Sequence, residues 1–298
     1  MKLNTIQGVG MIKAEITIAP FDKIAHYKTC ETLQKVIWQA APIEATPADL
    51  MITAHRHGGL ALGAFDAQGE MIGCLFGFPG RVSKHNNIAL AKGIEWQFCC
   101  HLVGVVEAWR GYGIGYQLAV AQRAWAIAEG FELITWTYDP LEIANAVLYI
   151  GKLGATGQLY LPNLYGEMPD ELNADLPSDR LEVSWWLESY HVRERIAHGW
   201  QMASTTVSHR VPVNPEQGNT TSASDIRDAL QNDKILLEIP TDIQTIKDTD
   251  QDLALAWRVN VRKAFAQIFE AGYRICDIVK EPTSPTARIY YVLEKSAL

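Results

Sequence analysis

The sequence predicts a mixed α/β fold of the α+β class, with a central twisted sheet of parallel and antiparallel strands. Two apolar stretches, Leu60–Phe65 and Met71–Phe78, flank the short connection Asp66–Gly69, which is typical of an antiparallel hairpin. A long strand, Trp96–Val106, precedes a helix and then Phe131–Tyr138, which is apolar on both faces as a doubly covered parallel strand is. A strand, a helix and a strand in this order predict a right-handed crossover.

The other elements of the first 130 residues follow from local patterns. Glu15–Ala19 alternates as a short strand, Phe21–Trp38 has helical spacing, and Pro47–Ala54 predicts a second, shorter helix. The clearest helix in the chain is expected to end at Gly130. Its apolar residues recur at steps of four and three: Ile114, Leu118, Ala121, Trp125 and Ala128.

The second half of the chain continues the alternation of helices and strands. Leu141–Leu153 is predicted to be helical, and Gly157–Leu161 and the alternating run Leu181–Leu187 to be strands. The C-terminal segment is predicted to contain a strand, a helix that opens at a capping box, and two further strands: Ile235–Ile239, Thr249–Ala271, Arg274–Val279 and Ala287–Leu293.

The amino-acid composition of the 298-residue chain changes at one place, which predicts a boundary between two domains. Residues 203–233 begin with a polar, small and turn-rich stretch and are expected to form a linker. They would separate a larger domain, residues 1–202, from a C-terminal strand–helix–strand–strand segment, residues 234–298.

Charge and apolar content exclude several classes of protein. Twenty-six basic and 34 acidic residues give a net charge of −8, which disfavours a nucleic-acid partner. No apolar run approaches the ~20 residues of a membrane span. The five cysteines form no CxxC pair, so neither a disulfide framework nor a metal site is expected. We expect a cytoplasmic protein without a membrane partner.

The stretch Val105–Gly115 carries the strongest signal for chemistry, because it lies between the long strand and the clearest helix. Its three glycines at alternate positions allow a ligand to approach the main chain, and the helix start supplies N–H groups to an anion. No acidic residue occurs in Ala108–Ile127. The pattern lacks the GxGxxG of a dinucleotide fold and the GK[ST] of a P-loop. It predicts a diphosphate site; the alternative is a glycine-rich turn that only packs.

These residues resemble a known superfamily. V-x-x-x-W-R-G-x-G-I-G, between a strand and an amphipathic helix, is similar to the acyl-coenzyme A pyrophosphate motif of the GNAT superfamily of N-acyltransferases. Further motifs resemble a branch with a C-terminal extension, densely over residues 60–200 and loosely over 235–295. They are Cys100–Val105, Gln122–Arg123, Ile134–Leu141, Asn145–Ala146, Lys152–Ala155, Asn163–Gly166 and Leu176–Arg180.

The resemblance implies a GNAT-like sheet with two splayed parallel strands and an enzyme that uses acetyl-CoA or another acyl-CoA as co-substrate, without a metal. The acyl group, acetyl or larger such as succinyl, would move to the amine of a small molecule, with amino acids among the candidates, by direct attack on the thioester. Two alternatives stay open: a catalytically weak regulatory module that binds coenzyme A, and a protein lysine acyltransferase. A homodimer is one of the states of assembly left open.

By the same resemblance, the backbone of the glycine-rich turn would hold the diphosphate of the coenzyme. The pantetheine arm would lie between Trp96–Val106 and Phe131–Tyr138, at the carboxyl ends of the splayed strands. The residues expected to bind the cofactor are Val103, Val105, Arg110, Gly111, Tyr112, Gly113, Ile114, Gly115 and Asn145.

Three residues are candidates for proton transfer. His101 has the pKa range of a general base and Glu95 is a second candidate; the alternatives are a core histidine and a solvated strand end. Many members of the superfamily use a tyrosine four residues before the glycine that ends the next helix. Counting back from Gly154, that position holds Ile150, and Tyr149 is one residue away. Tyr149 is therefore a candidate acid, with packing as its alternative.

Polar and aromatic residues near the ends of later strands are candidates for substrate binding. Arg180 would suit a substrate carboxylate, or a structural pair with Asp179 or Glu182. The full set of candidates is Trp136, Thr137, Asp139, Tyr165 and Arg180.

Overall fold

The computed structural model describes residues 15–38, 45–166, 168, 176–205, 209–218, 221–281 and 288–296. The chain divides into two compact units, which meet in sequence between Glu132 and Leu133. Each unit is built on its own set of strands. No helix among the described residues is long and apolar enough to cross a membrane.

The first unit contains four strands that pair in chain order, each antiparallel to the next. The predicted hairpin is confirmed, since the strands Leu60–Phe65 and Met71–Arg81 are adjacent and antiparallel. The elements are β1 (Thr17–Pro20), α1 (Ile24–Trp38), α2 (Ala48–Arg56), β2 (Leu60–Phe65), β3 (Met71–Arg81), α3 (Asn87–Ala91), β4 (Trp96–Val105) and α4 (Ile114–Ala128).

Helices cover both faces of this sheet. On one face, α1 and α2 pack over a core that includes Tyr27, Met51 and Phe76. On the other face, α4 lies against the sheet, and its Trp125 meets Phe98 of β4 edge-on with ring centroids 5.0 Å apart. The apolar stripe that the sequence places on α4 is therefore the stripe that packs.

The second unit contains a mixed sheet in the order β5-β7-β6-β11-β12-β10-β9, with β8 beside β11. β8 and β9 run parallel to their partners, whereas the pairs β5–β7, β7–β6, β6–β11, β11–β12 and β12–β10 are antiparallel. Its elements are β5 (Leu133–Tyr138), α5 (Ile143–Ala146), a π-helical turn (Val147–Lys152), β6 (Thr156–Leu161), β7 (Arg180–Trp186), α6 (Tyr190–His198), β8 (Ala203–Ser204), β9 (Arg210–Val211), α7 (Ala223–Ala229), β10 (Lys234–Ile239), α8 (Ile243–Thr249), α9 (Gln251–Glu270), β11 (Tyr273–Lys280) and β12 (Ile289–Lys295). The predicted mixed α/β class is confirmed.

The longest helix, α9, covers part of this second sheet. Its Phe265 stacks on Tyr160 of β6 and meets Tyr291 of β12 edge-on. The sequence predicts one helix from Thr249, which is wrong at its start. Asp250 has an extended φ of −153° and accepts a hydrogen bond from the Leu253 N–H, so it ends α8 and caps α9.

The segment 203–233, predicted as a polar linker, contains β8, β9 and α7 among its described residues. Val211, Val213 and Ile226 are buried there. The division of the chain at residue 202 stays a prediction, as does the parallel relation of the strands on either side of α4. Ala287, where the last strand is predicted to begin, lies outside the described residues.

Candidate functional site

The glycine-rich segment forms a tight turn between β4 and α4. Gly111 and Gly113 have φ angles of +85° and +76°, in the left-handed region that favours glycine. A Cβ atom at either residue would meet no atom within 4 Å, so the space above the turn is open. Gly113, the residue before α4, offers no side chain as a cap, which leaves the first N–H groups of the helix available to an anion.

Arg110 fastens this turn to its surroundings. Its guanidinium donates to the carbonyl oxygen of Val105 at the end of β4 (3.4 Å) and to that of Ile37 in α1 (3.2 Å). The rings of Trp109 and Tyr112 lie beside each other, with centroids 5.6 Å apart. The structure therefore gives Arg110 a positioning contact with the main chain, whereas the sequence presents it as a residue that binds the cofactor.

β4 contains a β-bulge at His101. In the pairing with β3, Gly77 lies opposite Cys100 and Phe76 lies opposite Leu102, so His101 is the extra residue. Leu102 belongs to the core beneath α1 and α2, and the His101 ring meets Phe76 of the same core edge-on. Two consecutive side chains therefore share one face of the strand, which a regular strand does not allow.

The surroundings of His101 suit a proton acceptor. Its Nε2 and the hydroxyl of Thr46 form a hydrogen bond of 3.0 Å, and its ring lies 5.9 Å from that of Phe78. His101 as a whole residue is exposed, but the groups packed around its ring withdraw it partly from water and lower its pKa, because the charged form loses solvation. The neutral imidazole therefore prevails at pH 7. No sequence pattern points to Thr46, which is 55 residues away in the chain.

Glu95, the second candidate base, lies at the solvated start of β4. It forms an ion pair of 3.5 Å with Arg81, in which both side chains are more exposed than not, at 72% and 68%. His101 is six positions after Glu95, which is about 20 Å of extended chain. The structure does not bring the two candidate bases together.

The π-helical turn changes the position of Tyr149. In an ordinary Schellman ending, the N–H two residues after the helix bonds to a carbonyl five residues earlier. Here the Ala155 N–H, which follows Gly154, donates to the carbonyl of Tyr149, six residues earlier, at 2.9 Å. The wide turn thus absorbs one residue. Relative to Gly154, Tyr149 occupies the place that residue 150 has in an α-helix, and Ile150 is fully buried.

The side chains of β5 separate onto two faces. Trp136 is half-buried, with its ring centroid 5.1 Å from that of Tyr149 and 5.9 Å from that of Trp185. Thr137 points to the opposite face, where its hydroxyl lies 3.1 Å from that of Tyr165. Thr137 and Tyr165 are therefore together, and Trp136 is on the other side of the sheet.

Asp139 takes part in a buried ion pair. Both of its carboxylate oxygens accept hydrogen bonds from Arg258 of α9, one of them at 2.8 Å. Arg258 is only 1% exposed, and Arg180 approaches the same carboxylate to 4.0 Å. Asp139 therefore supports the packing of α9 rather than offering a free carboxylate. Arg258 lies 119 residues away, so no local signal points to this pair.

Two motifs singled out in the sequence are joined by hydrogen bonds. The Asn163 side chain accepts from the Ser178 N–H at 3.2 Å, and the Ser178 hydroxyl donates to the Gly166 carbonyl at 2.8 Å. The Tyr165 N–H donates to the Ser178 hydroxyl oxygen at 3.0 Å. Asn163 has a φ of 47°, which is uncommon for a residue other than glycine. We call residues 163–166 and 176–180 the loop knot.

The loop knot places Arg180 against Tyr165. The Arg180 guanidinium carbon lies 5.4 Å from the centroid of the Tyr165 ring, within the range of a cation–π contact. Arg180 is 7% exposed and also donates to the Asp179 carbonyl at 2.9 Å. Since Tyr165 also contacts Thr137 and Arg180 also approaches Asp139, four of the five predicted substrate residues lie together: Thr137, Asp139, Tyr165 and Arg180.

The remaining cofactor candidates are distributed over both units. Val103 and Val105 lie on the face of β4 that α4 covers, and Ile114 is buried at the start of α4 beside Gly115. Asn145 is half-buried in α5. Among the residues that the model describes, no group of three or more histidine, cysteine, aspartate or glutamate side chains is arranged to hold a metal ion.

Comparison with known proteins gives matches among solved structures alone: no protein-family model matches the chain, and no curated protein does. Arabidopsis thaliana NAA60 in complex with acetyl-CoA is 14% identical with a TM-score of 0.47, over 59% of this chain and 100% of that one. An agmatine N-acetyltransferase is 12% identical with a TM-score of 0.44, over 57% and 98%.

A third solved structure carries a superfamily name. The GNAT family N-acetyltransferase YhbS from Escherichia coli, in complex with CoA, is 19% identical with a TM-score of 0.35, over 46% of this chain and 71% of that one. All three neighbours are thus N-acetyltransferases by name or solved with acetyl-CoA bound.

Proposed function

We propose that this chain is an N-acyltransferase of the GNAT superfamily that transfers an acyl group from acyl-coenzyme A to the amine of a small molecule. The turn between β4 and α4 carries the proposal. Two glycines hold left-handed backbone there, open space lies above both, and the following helix has no side-chain cap. Ala108–Ile127 contains no acidic residue to repel a diphosphate.

His101 is the general base that the first unit supports best. The bulge turns its ring out of the regular alternation of β4, and bulges often re-aim a side chain next to an active site. Its lowered pKa keeps the imidazole neutral, so it can take the proton that the acceptor ammonium loses. Thr46 fixes the ring through Nε2.

Tyr149 is the corresponding candidate acid in the second unit. Two observations support this assignment: the π-helical turn shifts the hydrogen bonding before Gly154 by one residue, and the resemblance implies a tyrosine four residues before that glycine. In the proposed reaction the amine nitrogen bonds to the acyl carbon and the carbon–sulfur bond breaks. The base takes the first proton from the ammonium, which frees the amine to attack. The departing thiolate takes a proton from the acid, and the second proton that the nitrogen loses as the amide forms restores the acid. The acyl group is acetyl or a larger one such as succinyl.

Binding of coenzyme tests the proposal directly. Calorimetry with acetyl-CoA and succinyl-CoA should give a dissociation constant for at least one of them. Gly113→Val should weaken that binding at least tenfold, because valine resists left-handed backbone and its side chain would fill the cradle.

Gly130→Val is the matched control for this change. Gly130 lies just beyond the opposite end of α4, with a φ of +85° and the same open space. Both variants carry similar backbone strain, so only the Gly113 variant should lose coenzyme. Equal affinity in the two variants, or no binding of acyl-CoA by the unmodified protein, would contradict the proposed site.

Release of the coenzyme thiol then separates an enzyme from a module that merely binds coenzyme. The assay supplies acyl-CoA with single amines, amino acids and a lysine-rich peptide. Turnover with a small amine is expected; turnover with the peptide alone would favour a protein acyltransferase. Tight coenzyme binding without turnover on any acceptor would favour the regulatory module.

A further inference from the structure

One carboxylate in the second unit takes no part in the networks around Asp139 and Asp179. Glu182 lies on β7 between two neighbouring strands, opposite Thr137 of β5 and Leu159 of β6. Directly paired residues point to the same face of a sheet, so the Glu182 side chain stands beside that of Thr137. Leu159 bounds it on the other side.

Glu182 is half-buried, and its carboxylate has no partner among the residues that the structure describes. Within the described part of the chain, no hydrogen bond or ion pair reaches its carboxylate, and burial raises its pKa above the ordinary value. A carboxylate removed from water is costly unless a cation or donors compensate it. The position therefore favours a ligand that brings a positive charge.

A positive charge of the protein lies on the same face. Arg180 precedes Glu182 by two residues on β7, which places the two Cα atoms about 7 Å apart with side chains on one side of the strand. Tyr165 joins Arg180 to Thr137, the residue opposite Glu182, since its ring lies under the guanidinium and its hydroxyl bonds to that of Thr137. We call Thr137, Tyr165, Arg180 and Glu182 the patch.

Hydrogen bonds hold the arginine end of the patch in place. The loop knot fixes Tyr165 through the Ser178 hydroxyl, and Asp179, the neighbour of Arg180, is buried among four hydrogen bonds. A pair of opposite charges on one face, with a hydroxyl between them, suits a ligand that carries both an ammonium and a carboxylate. A simple amine would leave the arginine without a function in recognition, and a diamine would be repelled by it.

We propose that Glu182 binds the ammonium of the acyl acceptor and Arg180 its carboxylate, so that the acceptor is an amino acid bound as a zwitterion. This inference rests on the proposed function, because it names the acceptor of the same reaction. Glu182 then determines specificity, and Thr137 and Tyr165 line the site between the two charges.

Calorimetry on the full chain, with and without coenzyme A, tests this binding apart from turnover. The probes are the twenty standard amino acids, added one at a time, and the amines that result from removal of the carboxylate. At least one amino acid should bind, and its decarboxylated counterpart should bind at least tenfold more weakly. Because Arg180 is buried in a network, the ligand loses the carboxylate in this experiment and the protein keeps its arginine.

Glu182→Gln removes the proposed ammonium partner at nearly constant volume. This substitution should weaken binding of the amino acid at least tenfold and leave the affinity for acetyl-CoA unchanged. Glu188→Gln, at an exposed glutamate just after β7, is the control and should change neither. Unchanged amino-acid affinity in Glu182→Gln, equal affinity for amino acid and amine, or no binding of any amino acid would each overturn the inference. If the unmodified protein does not bind coenzyme A or acyl-CoA, the proposed function is overturned instead.

Discussion

The buried carboxylate of Asp179 offers a quantitative test of how the loop knot is held. Its two oxygens accept four hydrogen bonds: from Arg262 at 2.7 and 2.6 Å, from the Tyr160 hydroxyl at 2.7 Å and from the Asn163 N–H at 2.9 Å. Asp179→Asn keeps the volume but removes the charge, and it turns an amide NH₂ toward groups that are themselves donors. Breaking a buried ion pair on one side costs about 3–5 kcal/mol as a rule.

The expected loss lies at the lower end of that range. Asp179 is fully buried, but the Arg262 side chain is 32% exposed and can turn toward water when its partner loses its charge. We therefore expect Asp179→Asn to lower the free energy of unfolding by about 3 kcal/mol. Urea unfolding measures this as a shift of the midpoint at constant m value.

Glu95→Gln is the control, since it breaks the exposed ion pair with Arg81. An exposed pair contributes roughly 0–1 kcal/mol, so that variant should unfold almost as the unmodified protein does. A loss below about 1 kcal/mol for Asp179→Asn, or a loss equal to that of the control, would refute the idea that the Asp179 carboxylate holds the loop knot together.

The same carboxylate gives the sign of a pH dependence. Burial raises the pKa of Asp179, but the hydrogen bonds from Arg262, Tyr160 and the Asn163 N–H outweigh burial and bring the pKa below its ordinary value. A carboxyl with a lower pKa in the folded state stabilises the fold above its unfolded pKa and loses that contribution as the pH falls through the folded pKa. Acid should therefore destabilise the unmodified protein more than Asp179→Asn.

Two further changes test the proposed chemistry. His101→Ala should lower kcat about 100-fold and leave the dissociation constant of acetyl-CoA unchanged, and an unchanged kcat would exclude this base. In the unmodified protein, the acidic limb of the pH profile of kcat/KM should lie below the ordinary histidine pKa, because loss of solvation lowers the pKa of His101. Tyr149→Phe should lower kcat about tenfold or more at constant coenzyme affinity, whereas Tyr190→Phe, at a residue 72% exposed, should have no effect. Equal turnover of the two tyrosine variants would assign Tyr149 to packing.

Local patterns were sufficient to predict much of the fold and the glycine-rich turn. Leu60–Phe65 is a strand with the predicted bounds, and α4 begins and ends where its apolar spacing places it. In these segments the pattern of side chains and the turn residues depend on near neighbours alone. The glycines before α4, which have left-handed backbone, could be predicted for a similar reason, because glycine is the residue that adopts positive φ readily.

The contacts that define the candidate site could not be predicted in the same way. Thr46 meets His101 across 55 residues, and Arg258 meets Asp139 across 119. Such pairs depend on the tertiary fold, which brings distant segments together, and the periodicity of the local sequence carries no information about it. The bulge at His101 could not be predicted from the sequence for a related reason, since it exists only in the pairing of β4 with β3.

The π-helical turn has a consequence for the recognition of distant relatives. A chain with one residue fewer between Val147 and Lys152 would form a plain α-helix, yet it could present a tyrosine at the same place before its glycine. Two such sequences would differ by one in the spacing of tyrosine and glycine while sharing the same geometry. An alignment of two such sequences therefore needs a one-residue gap within the turn, and a search for a fixed spacing would overlook Tyr149.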